Sequence, residues 1–276
     1  TLNIDVNRVA EKVTARTKAI LPVHIAGFPC SMDALLEICK QRNLALIDDA
    51  AHAIPTDYKG DRIGSIGDLS AFSFYANKNL ATGEGGMITT NNDNFAEMIK
   101  PMRLHGLSKD AWARQSNRAA WYYQVDSQGY KYNMTDIQAA MGLCQLMKLD
   151  KQIEIRRRYV QIYQERLGTI PEIMTPPGET LNRHSWHLYI IQLRTELLKI
   201  SRDEFIEAMR QANIECSLHY IPLHLFSFYQ RQYGYQEEDF PCAEAAFERV
   251  VSLPLHPDLT VEDIHIVVDT IRKILN

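Results

Sequence analysis

The sequence predicts an α/β fold: a mostly parallel central sheet with helices on both faces, followed by a smaller α+β unit. Two observations carry this prediction. From residue 6 to about 90, helical spacing alternates with short runs that are continuously apolar, as strands covered on both faces of a parallel sheet must be. Around Pro171 the pattern breaks at a stretch holding Pro176, Pro177 and Gly178, a composition that punctuates structure. The expected division is therefore 1–170 for the large part with its connecting helix, and 171–276 for a small C-terminal domain.

Taken in order, residues 6–15 have helical spacing, and 19–23 form an apolar strand leading into His24. Ser31 stands where an N-cap would open a helix over 34–41. The run 44–47 is a buried strand closing on Asp48 and Asp49. Strands follow over 69–75 and 87–90, the second preceded by Gly85 and Gly86, then a helix over 93–103. Residues 105–132 show no period, and a connection of that length is usually functional or disordered. Thr135 caps a long amphipathic helix, expected to be interrupted near 150 and to resume as far as Leu167. Beyond the prolines come a strand over 187–193, a helix over 202–212, a strand over 214–219, and two or three further helices.

Composition excludes several classes. The 276 residues are 46% hydrophobic and 23% charged with a net charge of −4, so no global basic field points to nucleic acid. The run Arg156, Arg157, Arg158 reads as a solvated helix face. Five scattered cysteines without a CxxC pair read as reduced thiols in a cytoplasmic protein, not as a disulfide frame or zinc site. No apolar run approaches the ~18 residues a bilayer span requires, and no signal-peptide pattern precedes the first helix.

The chemistry gathers at strand ends. Asp49 closes one strand and His52 follows three residues later; Ser73 lies in the next, Lys78 comes five residues after it, and Gly83, Gly85 and Gly86 follow. In open α/β sheets, ligands collect outside the carboxyl ends of the strands. Pyridoxal phosphate needs such a place. It requires a lysine able to shed its proton and bond the cofactor's aldehyde carbon, a carboxylate to keep the pyridine nitrogen protonated, and hydroxyls for the phosphate. Lys78, Asp49 and Ser73 supply one group for each need, and His52 could pack on or hydrogen-bond the ring. Each also has a plain structural reading: a surface lysine, a capping aspartate, a satisfied core hydroxyl, a glycine turn. A metal hydrolase using Asp48, Asp49 and His52 lacks further ligands at suitable spacing.

The segments 47–53, 72–80, 83–86 and 129–140, running from Ile47-Asp48-Asp49-Ala50-Ala51-His52 to Gly129-Tyr130-Lys131-Tyr132-Asn133-Met134-Thr135, resemble the DegT/DnrJ/StrS family of sugar aminotransferases, over essentially the whole chain. The resemblance implies a fold-type I pyridoxal 5'-phosphate enzyme with Lys78 as the covalent attachment point and Asp49 as the pyridinium partner. It places His52 beside the cofactor's phenolic oxygen and Ser73 on the phosphate. It further implies that Asn133 reaches the phosphate of a neighbouring subunit's cofactor, which makes a homodimer with shared active sites the functional unit. His219 and Tyr220 resemble a segment near the sugar nucleotide. The implied reaction moves an amino group from glutamate, releasing 2-oxoglutarate, to a keto-deoxy sugar nucleotide in polysaccharide or lipopolysaccharide biosynthesis. Family members also carry a segment ahead of the residue matching Thr1, with a phosphate-cradling helix start and an aromatic residue that stacks on the cofactor. On that ground this chain alone is expected to bind cofactor poorly, and an inactive remnant or a subunit of a split aminotransferase is the alternative reading.

Overall fold

The computed structural model describes residues 1–107, 123–179 and 181–275. Helix α1 (Val6–Lys12) is capped by Asp5, whose carboxylate accepts from the Asn7 N–H. Strands β1 (Ala19–Ile20) and β2 (Ala45–Asp49) are parallel and joined through helix α2 (Met32–Arg42), the crossover that parallel neighbours need. A short hairpin, β3 (Asp57–Tyr58) with β4 (Asp61–Arg62), precedes β5 (Leu69–Ser73), which lies parallel to β2. Strand β6 (Gly86–Thr89) returns antiparallel to β5, giving the order β1-β2-β5-β6. The expected α/β class is what the chain adopts. Ser31 begins α2 but its side chain makes no capping hydrogen bond. Met32, Leu35 and Cys39 share one helical face and pack with Leu46 of β2; burying such a Leu or Met side chain contributes about 2 kcal/mol each.

Helix α3 (Asp93–Met102) is capped by Asn92. The aperiodic segment that follows lies largely outside the described residues, but its flanks meet in antiparallel bridges, Leu104 with Lys131 and Leu107 with Val125. Helix α4 (Asp136–Leu167) then runs unbroken for 32 residues, opened by a capping box between Thr135 and Gln138. The expected interruption near 150 is absent. What changes there is the helix's surroundings: Ile137, Leu143 and Met147 are exposed in the first half, whereas Ile153, Tyr159, Tyr163 and Leu167 are buried in the second. A change of burial along one helix blurs its apolar period without breaking the backbone.

Arg156 corrects another expectation. It follows Ile153 by one helical turn, and it is buried with them rather than solvated. Its Nη1 donates to the carbonyls of Leu255 (2.6 Å) and Trp186 (3.2 Å). Burial lowers its pKa to about 10. Only Arg158 of the run is exposed, since Arg157 pairs with Glu154 and Glu179.

The second sheet is antiparallel, with β8 (Tyr189–Leu193) between β7 (Ile173–Met174) and β9 (Val250–Leu253). Helices α5 (Arg202–Gln211), α6 (Ser227–Tyr233), α7 (Pro241–Phe247) and α8 (Val261–Leu275) accompany it. Phe205 and Met209 of α5, and Ile264, Val268 and Ile271 of α8, close one core with Tyr163 and Leu167 of α4. The helix that precedes Pro171 thus supplies its last turns to the core that follows. The strand expected over 214–219 is reduced to one antiparallel bridge, Ser217 with Ser252. Just beyond that bridge, His219 and Tyr220 line the cavity described below.

Asp48 gives the first testable consequence. It alternates with Asp49 on β2 and is wholly buried, with Oδ2 accepting from the Ser70 hydroxyl at 2.7 Å and Oδ1 without a partner among the described residues. Burial pushes its pKa up to about 6, against the lowering effect of the Ser70 bond. A carboxyl whose folded pKa is raised stabilises the fold fully below its unfolded pKa, and that contribution is lost as pH rises through the folded value. Asp48→Asn removes the ionisation. Its stability relative to the wild type should be near equal at pH 4, grow through pH 6, and level off by pH 8 at a gain on the order of 3 kcal/mol. Urea unfolding at those three pH values measures it, and a pH-independent difference would refute it.

Candidate active site

Parallel strands β1, β2 and β5 deliver their carboxyl ends to one edge of the sheet, and the candidate residues follow from that. Asp49 is the last residue of β2, and Ser73 the last of β5. Lys78 closes a turn in which its N–H bonds the Tyr75 carbonyl at 2.9 Å. His52 sits in the turn leaving β2, where the Ala53 N–H bonds the Ala50 carbonyl at 2.9 Å. Asp49, His52 and Lys78 line one cavity of about 560 Å³, and His219 and Tyr220 enter it from the C-terminal half. Leu223, Ala243 and Phe247 make an apolar wall.

The electrostatics follow from burial. Lys78 is half-buried, and desolvation lowers its pKa while the Asp49 carboxylate opposes the shift. His52 is held down to about 3, first by burial and then by Lys78 and His219. His219 is lowered by burial and by Lys78. The imidazoles of His52 and His219 are therefore neutral near pH 7. His52 Nδ1 accepts from the Ala26 N–H at 3.2 Å. A neutral ring that accepts at Nδ1 carries its hydrogen at Nε2, and Nε2 lies 3.3 Å from the Tyr220 hydroxyl. The Asp49 carboxylate accepts one bond through Oδ1, from the Ala51 N–H at 3.0 Å, which leaves capacity for a donor in the cavity. His219 is fixed through Nδ1 by the Ser252 hydroxyl at 2.7 Å.

Ser73 does not line the main cavity. It borders a small cleft shared with Lys78 and His52, and its Oγ accepts from the Tyr75 N–H at 3.3 Å. Asn133 lines neither space, and its Oδ1 is buried without a partner among the described residues. The expectation for Asn133 concerned a neighbouring subunit's site.

The fold brings in residues that no motif marked. Asn79, next to Lys78, donates from Nδ2 to the Ile54 carbonyl (3.1 Å) and the Ser185 carbonyl (2.8 Å). The Ser185 hydroxyl donates to the His52 carbonyl at 2.5 Å. His187 packs its ring on His52 with centroids 4.4 Å apart. Ala26 (φ 58) and Trp186 (φ 47) both adopt the left-handed region, which costs of order 1 kcal/mol each and persists where the surroundings over-determine it. Here the Ala26 carbonyl accepts from the His187 N–H at 3.0 Å, and Trp186 Nε1 donates to Glu179 at 2.8 Å. A histidine and a serine flanking a tryptophan at the start of a strand were the available signal for this seat.

These residues fit pyridoxal phosphate: a half-buried lysine of lowered pKa and a carboxylate with a free acceptor face one cavity. Comparison with known proteins agrees. Residues 1–272 match the DegT/DnrJ/EryC1/StrS aminotransferase family. The chain is 47% identical over 276 residues to the spore coat polysaccharide biosynthesis protein SpsC of Bacillus subtilis, covering all of this chain and 71% of that protein. Spr1654 of Streptococcus pneumoniae in its PMP form superposes with a TM-score of 0.91 at 31% identity, over 99% of this chain and 73% of that one. Helicobacter pylori PseC, an aminotransferase involved in the biosynthesis of pseudoaminic acid, gives 0.90 at 26% identity, over 99% and 71%. The chain belongs to the DegT/DnrJ/EryC1/StrS aminotransferase family, whose members are pyridoxal-phosphate-dependent sugar aminotransferases.

Proposed function

We propose that this protein transfers the amino group of glutamate to a keto-deoxy sugar nucleotide, with Lys78 as the covalent attachment point of pyridoxal phosphate. The observation that carries the reading is that Asp49, at the end of β2, and Lys78, in the turn after the adjacent β5, line one cavity. The cofactor, when bound, supplies an electron sink for the carbanion formed beside the migrating nitrogen. Asp49 holds a proton at the ring nitrogen. The Nε2–H of His52, beside the Tyr220 hydroxyl, suits the ring's phenolic oxygen, and Ser73 suits the phosphate. Lys78, as a free amine, removes a proton from one carbon and returns it to another, a task for which burial has already lowered its pKa. His219 and Tyr220 border the place left for the sugar, and the apolar wall at Leu223 and Phe247 suits a deoxygenated edge. Asn133 completes the site of a second copy, so the working unit is a homodimer. In this reading 1–170 carry the cofactor and 171–276 form the small domain. Among the described residues no helix is long and apolar enough to cross a membrane, and a cytoplasmic setting suits substrates of this kind.

Lys78→Arg keeps the charge but cannot form the covalent bond. The visible absorption of the cofactor-loaded protein should vanish in this variant, whereas in the wild type it should be consumed by glutamate and restored by an accepting keto-sugar nucleotide. A Lys78→Arg spectrum identical to the wild type would sink the assignment.

A further inference from the structure

The ladder between β2 and β5 ends where the Ala50 N–H bonds the Ala71 carbonyl at 2.9 Å. Beyond it the chain continues as two separate turns, one carrying His52 and the other Lys78. Asn79 ties them directly, donating from Nδ2 to the Ile54 carbonyl at 3.1 Å. The second Nδ2 hydrogen goes to the Ser185 carbonyl at 2.8 Å, so both hydrogens of the amide are used. Ser185 then closes the circuit, because its hydroxyl donates to the His52 carbonyl at 2.5 Å. Asn79 is buried and Ser185 wholly so.

Ser185 is a fixed post. On one side of it the His184 N–H donates to Glu179 at 3.1 Å, and on the other Trp186 Nε1 donates to the same carboxylate at 2.8 Å. Arg157 pairs with that carboxylate, and Arg156 donates to the Trp186 carbonyl at 3.2 Å. The hydroxyl itself occupies space that Gly27 leaves open, since a Cβ there would stand 1.7 Å from Ser185 Oγ. Ser185 lines neither the main cavity nor the small cleft.

We propose that Asn79 and Ser185 are positioning residues, a clasp that fixes the Lys78 turn against the His52 turn. Displacements of about 1 Å at a reacting group can cost on the order of 10²-fold in rate, and a lysine that moves a proton between two carbons is such a group. The clasp's purpose rests on the cofactor role of Lys78 given above, whereas its bonds belong to the free chain. The order of its links leaves a signature. Ser185 Oγ holds only His52, and Ser185 reaches the Lys78 turn through Asn79.

The test uses the full chain freed of cofactor. The rate of Lys78 modification by acetic anhydride, read by peptide mass spectrometry across pH, gives the apparent pKa of the lysine. Asp49, His52, His219 and Tyr220 line one space that Lys78 borders and His187 the other; the three imidazoles are neutral near pH 7, and neither substitution alters any of these groups. Burial lowers the Lys78 pKa, so a turn freed from the clasp admits water and raises it. Ser185→Ala removes one oxygen outside both spaces and should raise the value by about half a unit, slowing modification at neutral pH roughly threefold. Asn79→Ala cuts two links and should raise it by about 1 unit, with modification up to tenfold slower. The double variant should match Asn79→Ala alone, because without Asn79 the Ser185 hydroxyl has no route to the lysine; independent effects would add. A Ser185→Ala profile that superposes on the wild type, or an additive double variant, overturns the proposal. Should Asn79→Ala fail to unfold cooperatively, Ser185→Ala decides alone. No cofactor takes part, so failure here is separable from failure of the Lys78→Arg spectrum.

Discussion

Asp49→Asn should lower turnover with glutamate by about 10³-fold, the scale set by removing one preorganised electrostatic partner from a reacting centre. The substitution is nearly isosteric and can keep the Oδ1 bond from the Ala51 N–H, so the turn that carries His52 is preserved. What disappears is the negative charge that holds a proton on the ring nitrogen in the proposed reaction. Cofactor should still attach to Lys78, because that bond does not use Asp49. The pH at which Lys78 loses its proton should also fall, since the carboxylate that favours the ammonium is gone. Single-turnover rates and a spectroscopic pH titration measure both effects. Turnover within tenfold of the wild type would mean that Asp49 does not serve the ring nitrogen.

Gly27→Ala should be the most destabilising single methyl addition in the site's surroundings. Gly27 has φ +94, and a Cβ there would stand 1.7 Å from Ser185 Oγ and 2.7 Å from the His52 carbonyl oxygen. Neither neighbour can yield freely, because Ser185 donates to that same carbonyl at 2.5 Å and the carbonyl belongs to the turn that presents His52. Left-handed backbone strain of about 1–2 kcal/mol and overpacking of about 1–3 kcal/mol add, for a loss of about 3 kcal/mol and a Tm lower by roughly 10 °C. Pairing it with Ser185→Ala removes the nearer collision and should recover part of the loss, leaving the His52 contact and the φ strain. Differential scanning calorimetry of the single and double variants checks this, and a Tm within 2 °C of the wild type would contradict it.

Lys78, Asp49, His52 and Ser73 were legible as candidates because each lies at or just past the end of a strand, and strand ends in a parallel sheet share one edge. Their nearness needed no knowledge of distant contacts. The helix break near 150 was misread for a related reason: apolar period measures surroundings, and α4 passes from an exposed stretch into a core along its length. Arg156 shows the converse, since helical spacing placed it with Ile153 while its charge suggested solvent. Three backbone carbonyls from other segments, at Trp186, His187 and Leu255, make the buried position tolerable.

The sequence by itself determined the α/β class and singled out the lysine and aspartate of the proposed cofactor site, because these depend on local pattern and strand-end position. Tertiary structure alone decided how the turns that carry Lys78 and His52 are held together. Asn79 meets Ser185 across 106 residues, and Ser185 meets His52 across 133. Contacts at such separations leave no periodic trace in the chain, since they arise only when the core around α4 and β8 sets the 185–187 segment against the turns after β2 and β5.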